Sequence, residues 1–434
     1  MPVHWEGRYW SRKGDSLVPL SPTELKSIFA EAGHDFSAEV CPGARLADLD
    51  ERAIEDFRRR WGEHTRNVGL AGLSHEQLLR DAELLNEQGL TYAALVLFGT
   101  QATLGRFLAQ AEVIFEYRSS EASGPAQERR EYRQGFFTFY DALWDDLAKR
   151  NDLQHYQEGF FLKVIPTFDE RSVREALLNA VSHRDYQLAG SVFVRQFPRR
   201  VVIESPGGFP WGITRGNILN RQSPRNRRLA EAFARCGLVE RAGQGVNLMF
   251  ERSICQGKQQ PDFIDTDEYL VVLSLHGEVG NPRFVQFLEN VGQETLESFT
   301  TQDFLLLDLV HREQPLPEDL RHRLPRLCSL DIVEAVGRGR GARYLSSRRF
   351  SAFIGEHGVY TRHRGLDDEQ NKELLYRHIR GCGPDGSPVL ELQQVLPAIS
   401  RRTIRRLLNA LREEGRVQTS GERRWAKWLV VEDS

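Results

Sequence analysis

The chain has 434 residues, 40% of them hydrophobic and 10% aromatic, and carries a formal net charge of -3. That length gives room for roughly two to four domains, and the near balance of charge excludes a uniformly basic nucleic-acid binder while leaving charge free to segregate between modules. Five scattered cysteines without a CxxC pair argue against a zinc ribbon or a disulfide framework; with no signal-like N-terminal run and no bilayer-length apolar stretch, the chain is expected to be cytoplasmic, without a membrane partner.

In chain order, residues 23–65 predict helices, the first opened by Ser21-Pro22-Thr23-Glu24 and the second an amphipathic run over 48–61. A further helix is expected over 74–87. The apolar stretches 91–98 and 111–117 read as strands, joined through a short segment containing Gly105. Polar residues 119–133 predict an exposed loop before a helix over 136–150. After the turn signal Glu158-Gly159, residues 160–165 predict the first strand of a central domain whose last strand is 269–275.

The central domain carries REALLNAVSHRDY (174–186), read as a helix. Asn179 follows Glu175 by one turn, so both polar side chains leave one face while Ala176, Leu177, Leu178 and Val181 pack elsewhere. A carboxamide oxygen ligates Mg²⁺ and a carboxylate orients or deprotonates water, so the pair suits a nucleotide site. An isolated pair of this kind also fits the solvated edge of an amphipathic helix. Alternation over 190–197 and 201–203, around Pro198-Arg199-Arg200, predicts a hairpin. Two glycine turns follow, Pro206-Gly207-Gly208 and Gly243-Gln244-Gly245, the second before a helix over 246–253. Without side chains each permits positive φ and lets phosphate approach backbone N–H groups.

Beyond Pro282 the character shifts to helices and arginine. Residues 304–313 and 320–347 predict a winged helix within a module spanning 283–355, its wing tipped by Gly337-Arg338-Gly339-Arg340-Gly341. Arg338 and Arg340 suit DNA phosphates, and a merely solvated hairpin tip fits as well. A second such module, 356–434, has helices over 372–380, 390–396 and 400–415, the last with Ser400 as N-cap, and wing strands over 416–419 and 428–430. Ile404, Leu407, Leu408 and Leu411 form an apolar stripe on the last helix, leaving Arg401, Arg402, Arg405 and Arg406 for double-stranded DNA. A protein-binding winged helix with a basic solvent face is the alternative.

The order of ExxxN helix, hairpin, glycine turn, polar segment and second glycine turn resembles that of the GHKL (Bergerat-type) ATPases such as gyrase B, MutL and the histidine kinases. Within that class EALLNAVSHRDY (175–186), VIESPGGFPWGIT (202–214) and SPRNRRLAEAFARCGLVERAGQGV (223–246) resemble the divergent ATP-binding domain of bacterial RecG-like transcriptional regulators. The resemblance covers about residues 5–280. In that family the domain follows a Schlafen-type AlbA nucleic-acid-binding domain, whose last strand and exit resemble GRYWSRKGDSLVPLSPTEL (7–25). Residues 1–65 are thus expected to be an AlbA remnant and helical linker, with most of that domain absent.

Together with the winged-helix reading of the residues beyond 282, the resemblance implies an α+β multidomain protein: a GHKL-like α/β sandwich over 66–282, with its core at about 158–280, followed by C-terminal winged-helix modules. It implies ATP and Mg²⁺ as cofactors, Glu175 as the water-orienting base, Asn179 as the Mg²⁺ ligand, and Asp185 or Arg184 in support. Gly207, Gly208, Gly243 and Gly245 would line the nucleotide. Asn226 would belong to a polar lid over 211–228, whose Arg215, Arg221, Arg225, Arg227 and Arg228 fit phosphate, solvent or nucleic acid. GHKL proteins place an aspartate ahead of the first glycine turn to hold the adenine amino group; here Glu204 and Ser205 stand there, with Glu204 the candidate. A homodimer is expected on the same ground.

The expected function is an ATP-binding, DNA-binding transcriptional regulator in which nucleotide occupancy modulates the winged helices. The alternative is a slow GHKL-type ATPase in a nucleic-acid process such as phage or mobile-element defence. The absence of GxxxxGK[ST] argues against a P-loop helicase, and His183-Arg184-Asp185 lacks the downstream Asn of a kinase catalytic loop.

Overall fold

The computed structural model describes residues 3–5, 7–13, 16–21, 35–122, 124–158, 161–210, 212–239, 245–280, 282–291, 295–296, 298–312, 314–336, 343–347, 368–396, 399–421 and 426–431. Its contacts divide the chain into two units, Met1–Gly280 and Asn281–Ser434. Among the described residues no helix is long and apolar enough to cross a membrane.

The first unit opens with an antiparallel meander of β1 (Val3–Trp5), β2 (Arg8–Lys13) and β3 (Ser16–Pro19). Helix α1 (Glu51–Thr65) starts where Asp50 accepts the Ala53 amide, turns Ala53, Ile54, Phe57 and Trp61 inward, and stops at Arg66 with φ 54°. Helix α2 (His75–Asp81), the short strands β4 (Leu85–Asn86) and β5 (Gly89–Leu90), α3 (Tyr92–Phe98) and α4 (Gln101–Phe107) follow. The stretch 91–98 is therefore helix and not the expected strand. Thr91 caps it by accepting the Ala94 amide, and Ala93 through Phe98 are all buried, so the run lacks the periodicity that separates a buried helix from a buried strand.

Strands β6 (Val113–Tyr117) and β7 (Glu128–Tyr132) precede α5 (Phe136–Ala148), and β8 (Leu153–Glu158) and β9 (Phe161–Pro166) precede α6 (Glu170–His183). The unit is completed by β10 (Val192–Phe197), β11 (Arg200–Pro206), α7 (Arg227–Arg235), α8 (Gly245–Cys255) and β12 (Leu270–His276). A five-stranded mixed sheet of order β12-β11-β10-β6-β7 organises it, with β10 parallel to β6 and the other pairs antiparallel. Phe197 faces Arg200 across Pro198-Arg199, the expected hairpin.

Two expectations change at this sheet. The polar segment 119–133 is not all loop, since its second half is the edge strand β7. Arg129, Arg130 and Glu131 stay exposed there, charges that discourage an open edge from pairing with another chain. Nor does 160–165 begin the sheet: β9 pairs with β8 in a separate hairpin, and the sheet already starts at Val113, ahead of the anticipated core at 158.

The second unit holds α9 (Pro282–Val291), α10 (Thr301–His311) with a capping box between Thr300 and Asp303, and α11 (Leu324–Ser329). An antiparallel hairpin of β13 (Val333–Val336) and β14 (Arg343–Ser346) follows. Arg338 and Arg340, at its expected tip, lie outside the described residues. Then come α12 (Asp368–Gly381), β15 (Ser387–Pro388), α13 (Val389–Val395), α14 (Arg401–Glu413), β16 (Val417–Ser420) and β17 (Lys427–Val430), the strands in antiparallel order β15-β17-β16. Ser400 accepts the Thr403 amide, and Ile404, Leu407, Leu408 and Leu411 of α14 are buried against Leu375 and Leu392, as the apolar stripe predicts.

Candidate functional site

The site is built on α6. Its N-cap, Asp169, accepts the Ser172 amide and is held by Arg252 at 2.7 Å and Gln256 at 3.0 Å, both on the α8 side. Burial alone would raise the Asp169 carboxyl, but the Arg252 guanidinium and the Ser172 amide hold it below the usual carboxylate range. Ala176, Leu177, Leu178 and Val181 are buried, which fixes the rotation of the helix and leaves Glu175 and Asn179 on the face toward a cavity of about 650 Å³. Asn179 Nδ2 donates to Glu175 Oε1 at 3.1 Å, and Glu175 is only 7% exposed.

Ile203 and Ser205 of β11 and Val271 and Leu273 of β12 supply the sheet side of the cavity. Ala230, Glu231 and Arg235 of α7, and Gly245, Val246 and Met249 of α8, form other walls, and Phe209, Ile213, Ile218 and Arg221 come from the segment after β11. A Cβ on Gly245 would fall 1.6 Å from Glu175 Oε1, so the carboxylate occupies space that only glycine leaves open. His183 also lines the cavity, and burial, with the Arg225 charge beside it, pushes its imidazole down to about 4.

The other sequence-derived candidates fall differently. Gly208 lines the cavity but Gly207 does not, and both amides are engaged, donating to Glu268 O at 3.2 Å and Tyr269 O at 2.7 Å respectively. A Cβ on Gly208 would lie 2.7 Å from the carbonyls of Asp267 and Glu268, and one on Gly207 would run into the side chains of Arg225 and Asp185, so the two glycines make room for these neighbours and their amides are already taken. Asp185 lies beside Gly207, its amide donating to Pro206 O and its carboxylate accepting the Gln187 amide. Asn226 is buried, its Nδ2 donating to Ser182 O and Arg184 O, so it locks the end of α6 and does not line the cavity. Arg184 is a buried clamp on the carbonyls of Asp185, Leu188 and Gly190.

Glu204 points away from the cavity that its neighbours Ile203 and Ser205 line, and pairs with Arg195 across the hairpin. Gly243 lies outside the described residues. Of the arginines between 211 and 228, Arg221 and Arg227 line the cavity, Arg215 donates to Thr266 O, Arg225 to His183 O and Gly208 O, and Arg228 pairs with Glu83. Met249, Phe263 and Glu83 are cavity residues that no sequence pattern singles out; Glu83 reaches it from the segment after α2, with φ 58°.

Residues 190–273, from β10 to β12, match the family model described as "Putative ATP-dependent DNA helicase recG C-terminal", and residues 26–114 match a "Domain of unknown function (DUF8451)". No curated protein matches the sequence. Among solved structures, the crystal structure of the DIP2311 protein from Corynebacterium diphtheriae is similar with a TM-score of 0.60 and 21% identity, over 98% of this chain and 75% of that one, a likeness of fold. What this chain is similar to over residues 190–273 is therefore an ATPase-type domain of the RecG C-terminal kind, set within a mixed α/β fold.

Proposed function

We propose that the protein binds ATP with Mg²⁺ in the cavity beside α6, in a divergent GHKL-type domain, and that occupancy modulates binding of double-stranded DNA by winged-helix modules in the second unit. The observation that carries this reading is the Glu175–Asn179 pair facing a cavity of about 650 Å³, with glycine at 245 giving the carboxylate its place. The amide oxygen of Asn179 would ligate Mg²⁺, an ion that takes one or two protein ligands and fills its other positions with water and phosphate oxygens. Ile203, Met249, Phe263, Val271 and Leu273 supply apolar surface suited to a purine, and Arg221 and Arg227 supply positive charge.

On α14, Arg401, Arg402, Arg405 and Arg406 are exposed, Arg406 being held by Asp368 at 2.6 Å, and the first three are offered to DNA. ATP can shift DNA affinity only by the difference between its affinities for the two arrangements. A second copy of the chain would supply the second half-site contact.

Titration of a fluorescent ATP analogue with and without Mg²⁺ tests the nucleotide site. Wild type should show saturable, Mg²⁺-dependent binding, and Asn179→Ala should weaken it by about tenfold or more, the least that losing a metal-site group costs. Absence of saturable binding by wild type removes the reading, and DNA affinity unchanged at saturating ATP removes the coupling. The hydrogen bond that sets Glu175 beside Asn179 also favours a second reading, slow hydrolysis in a nucleic-acid process such as mobile-element defence. Glu175→Ala that binds ATP but releases no phosphate, against a wild type that does, would support it.

A further inference from the structure

Three side chains meet at the end of α12 that neither the nucleotide nor the DNA reading uses. His378 lies in the last turn of that helix, Cys382 follows four residues on, and Glu391 sits in the first turn of α13. His378 Nε2 is 2.9 Å from Glu391 Oε1, and Cys382 Sγ is 3.5 Å from that nitrogen and 3.9 Å from that oxygen. All three potential ligand atoms thus face one small volume.

Imidazole nitrogen, thiolate sulfur and carboxylate oxygen are the donor types that bind Zn²⁺, at about 2.0–2.1, 2.3 and 2.0–2.2 Å. A tetrahedral ion with those bond lengths sets sulfur about 3.5–3.6 Å from the other two donors, and nitrogen about 3.4 Å from oxygen. The two sulfur edges here already agree to within a few tenths of an ångström. The nitrogen–oxygen edge is shorter because a proton is shared across it, and an ion that displaces that proton would open it by about half an ångström.

The surroundings fit the same reading. His378 is 7% exposed, with Leu374, Leu375, Ile379 and Leu392 of the same two helices buried in the unit's core, while Cys382 and Glu391 are half-buried. The cluster is therefore backed by the core on one side while Cys382 and Glu391 keep partial exposure, and a water in a fourth position would complete a site with three protein ligands.

We propose that His378, Cys382 and Glu391 bind one zinc-type divalent cation, with water in the fourth position, and that the ion ties α12 to α13. On binding, the thiol proton of Cys382 passes to solvent and the Nε2 proton of His378 moves to Nδ1, so one proton is released per ion and affinity rises with pH. The site shares no residue with the cavity beside α6.

The test uses the full-length chain, stripped with a chelator and titrated with Co²⁺ as a spectroscopic stand-in for Zn²⁺. One Co²⁺ per chain is expected, with tetrahedral visible bands and a near-ultraviolet thiolate-to-cobalt band, both erased by Zn²⁺. Cys382→Ser should lose the thiolate band, and Glu391→Gln, which keeps length and hydrogen bonding, should bind Co²⁺ about tenfold or more weakly while folding as wild type in chelator. No stoichiometric binding at micromolar Co²⁺, a thiolate band that survives in Cys382→Ser, or wild-type affinity in Glu391→Gln would each overturn the assignment.

Discussion

Helices α6 and α14 each present polar side chains about one turn apart, and the molecule treats them in opposite ways. On α6 the pair is enclosed: Glu175 is 7% exposed, accepts from Asn179, and occupies room that Gly245 leaves. On α14 the apolar stripe is enclosed and Arg401, Arg402 and Arg405 stand in solvent. A buried carboxylate is costly unless hydrogen-bonded, so the α6 pair is held in a set geometry, and in the proposed reading its binding would depend on fit. Exposed arginines act through a screened field, so in the proposed reading binding at α14 would depend on salt.

The largest effect is expected at Gly245. A methyl group there would lie 1.6 Å from Glu175 Oε1 and 2.3 Å from its carboxyl carbon, so Gly245→Ala must push the carboxylate out of place. Nucleotide affinity should fall by about 100-fold or more, which is about 2.7 kcal/mol, while circular dichroism and ATP-free DNA binding stay as in wild type. An alanine protein that binds ATP normally would show that Glu175 takes no part.

The next effect concerns acid. His183 on α6 and His311 on α10 are both pushed down to about 4, chiefly by burial. Between pH 6.5 and 4 the unfolded chain holds a proton on each ring that the folded chain does not, so stability must fall as pH falls through that window. For His183 the loss should reach about 2 kcal/mol by pH 4.5, less than the full shift implies because the ring fronts the open cavity. The Asp169 carboxyl, held below 3.8, gives up its contribution only at lower pH and does not mask the slope. Urea midpoints at pH 7 and pH 4.5 for wild type and His183→Gln should differ in slope; equal slopes would mean that His183 titrates normally.

Local patterns carried most of what could be read beforehand. The Glu175–Asn179 pair and the α14 stripe depend on spacing within one helix, and the β10–β11 hairpin on alternation across a two-residue turn. Legibility failed where distant chain decides. Nothing in Thr91–Phe98 announces that its burial is on all sides, and nothing in residues 113–132 says that they extend a sheet completed by Leu270–His276. Glycine at 207 and 208 showed that backbone passes close, but not that what passes is the carbonyl chain of Asp267 to Tyr269 and not a phosphate. Glu83 enters the cavity from the α2 side, and Glu391 reaches His378 and Cys382 from another helix, so no spacing rule could have gathered either.

A smaller effect is expected on α14. Replacing Arg401, Arg402 and Arg405 together by alanine should reduce affinity for double-stranded DNA about tenfold and lower the slope of log affinity against log salt by about 2.7, at about 0.9 per lost phosphate contact. The buried stripe of Ile404, Leu407, Leu408 and Leu411 is untouched, so the unfolding midpoint should not move. An unchanged slope would assign this face to a protein partner.

The smallest effect distinguishes two adjacent residues on β11. Side chains alternate along a strand, and because Ile203 and Ser205 line the cavity, Glu204 belongs to the other face, where Arg195 holds it. Glu204→Gln removes a half-exposed ion pair worth about 1 kcal/mol or less, and should leave nucleotide affinity within about twofold of wild type. Ser205 is the residue on the cavity side, with its hydroxyl donating to Ala180 O of α6 at 2.8 Å, so Ser205→Ala acts on the seating of that helix against the sheet. A marked loss of ATP affinity in Glu204→Gln would mean that the carboxylate reaches the base after all, and that the strand presents its opposite face to the ligand.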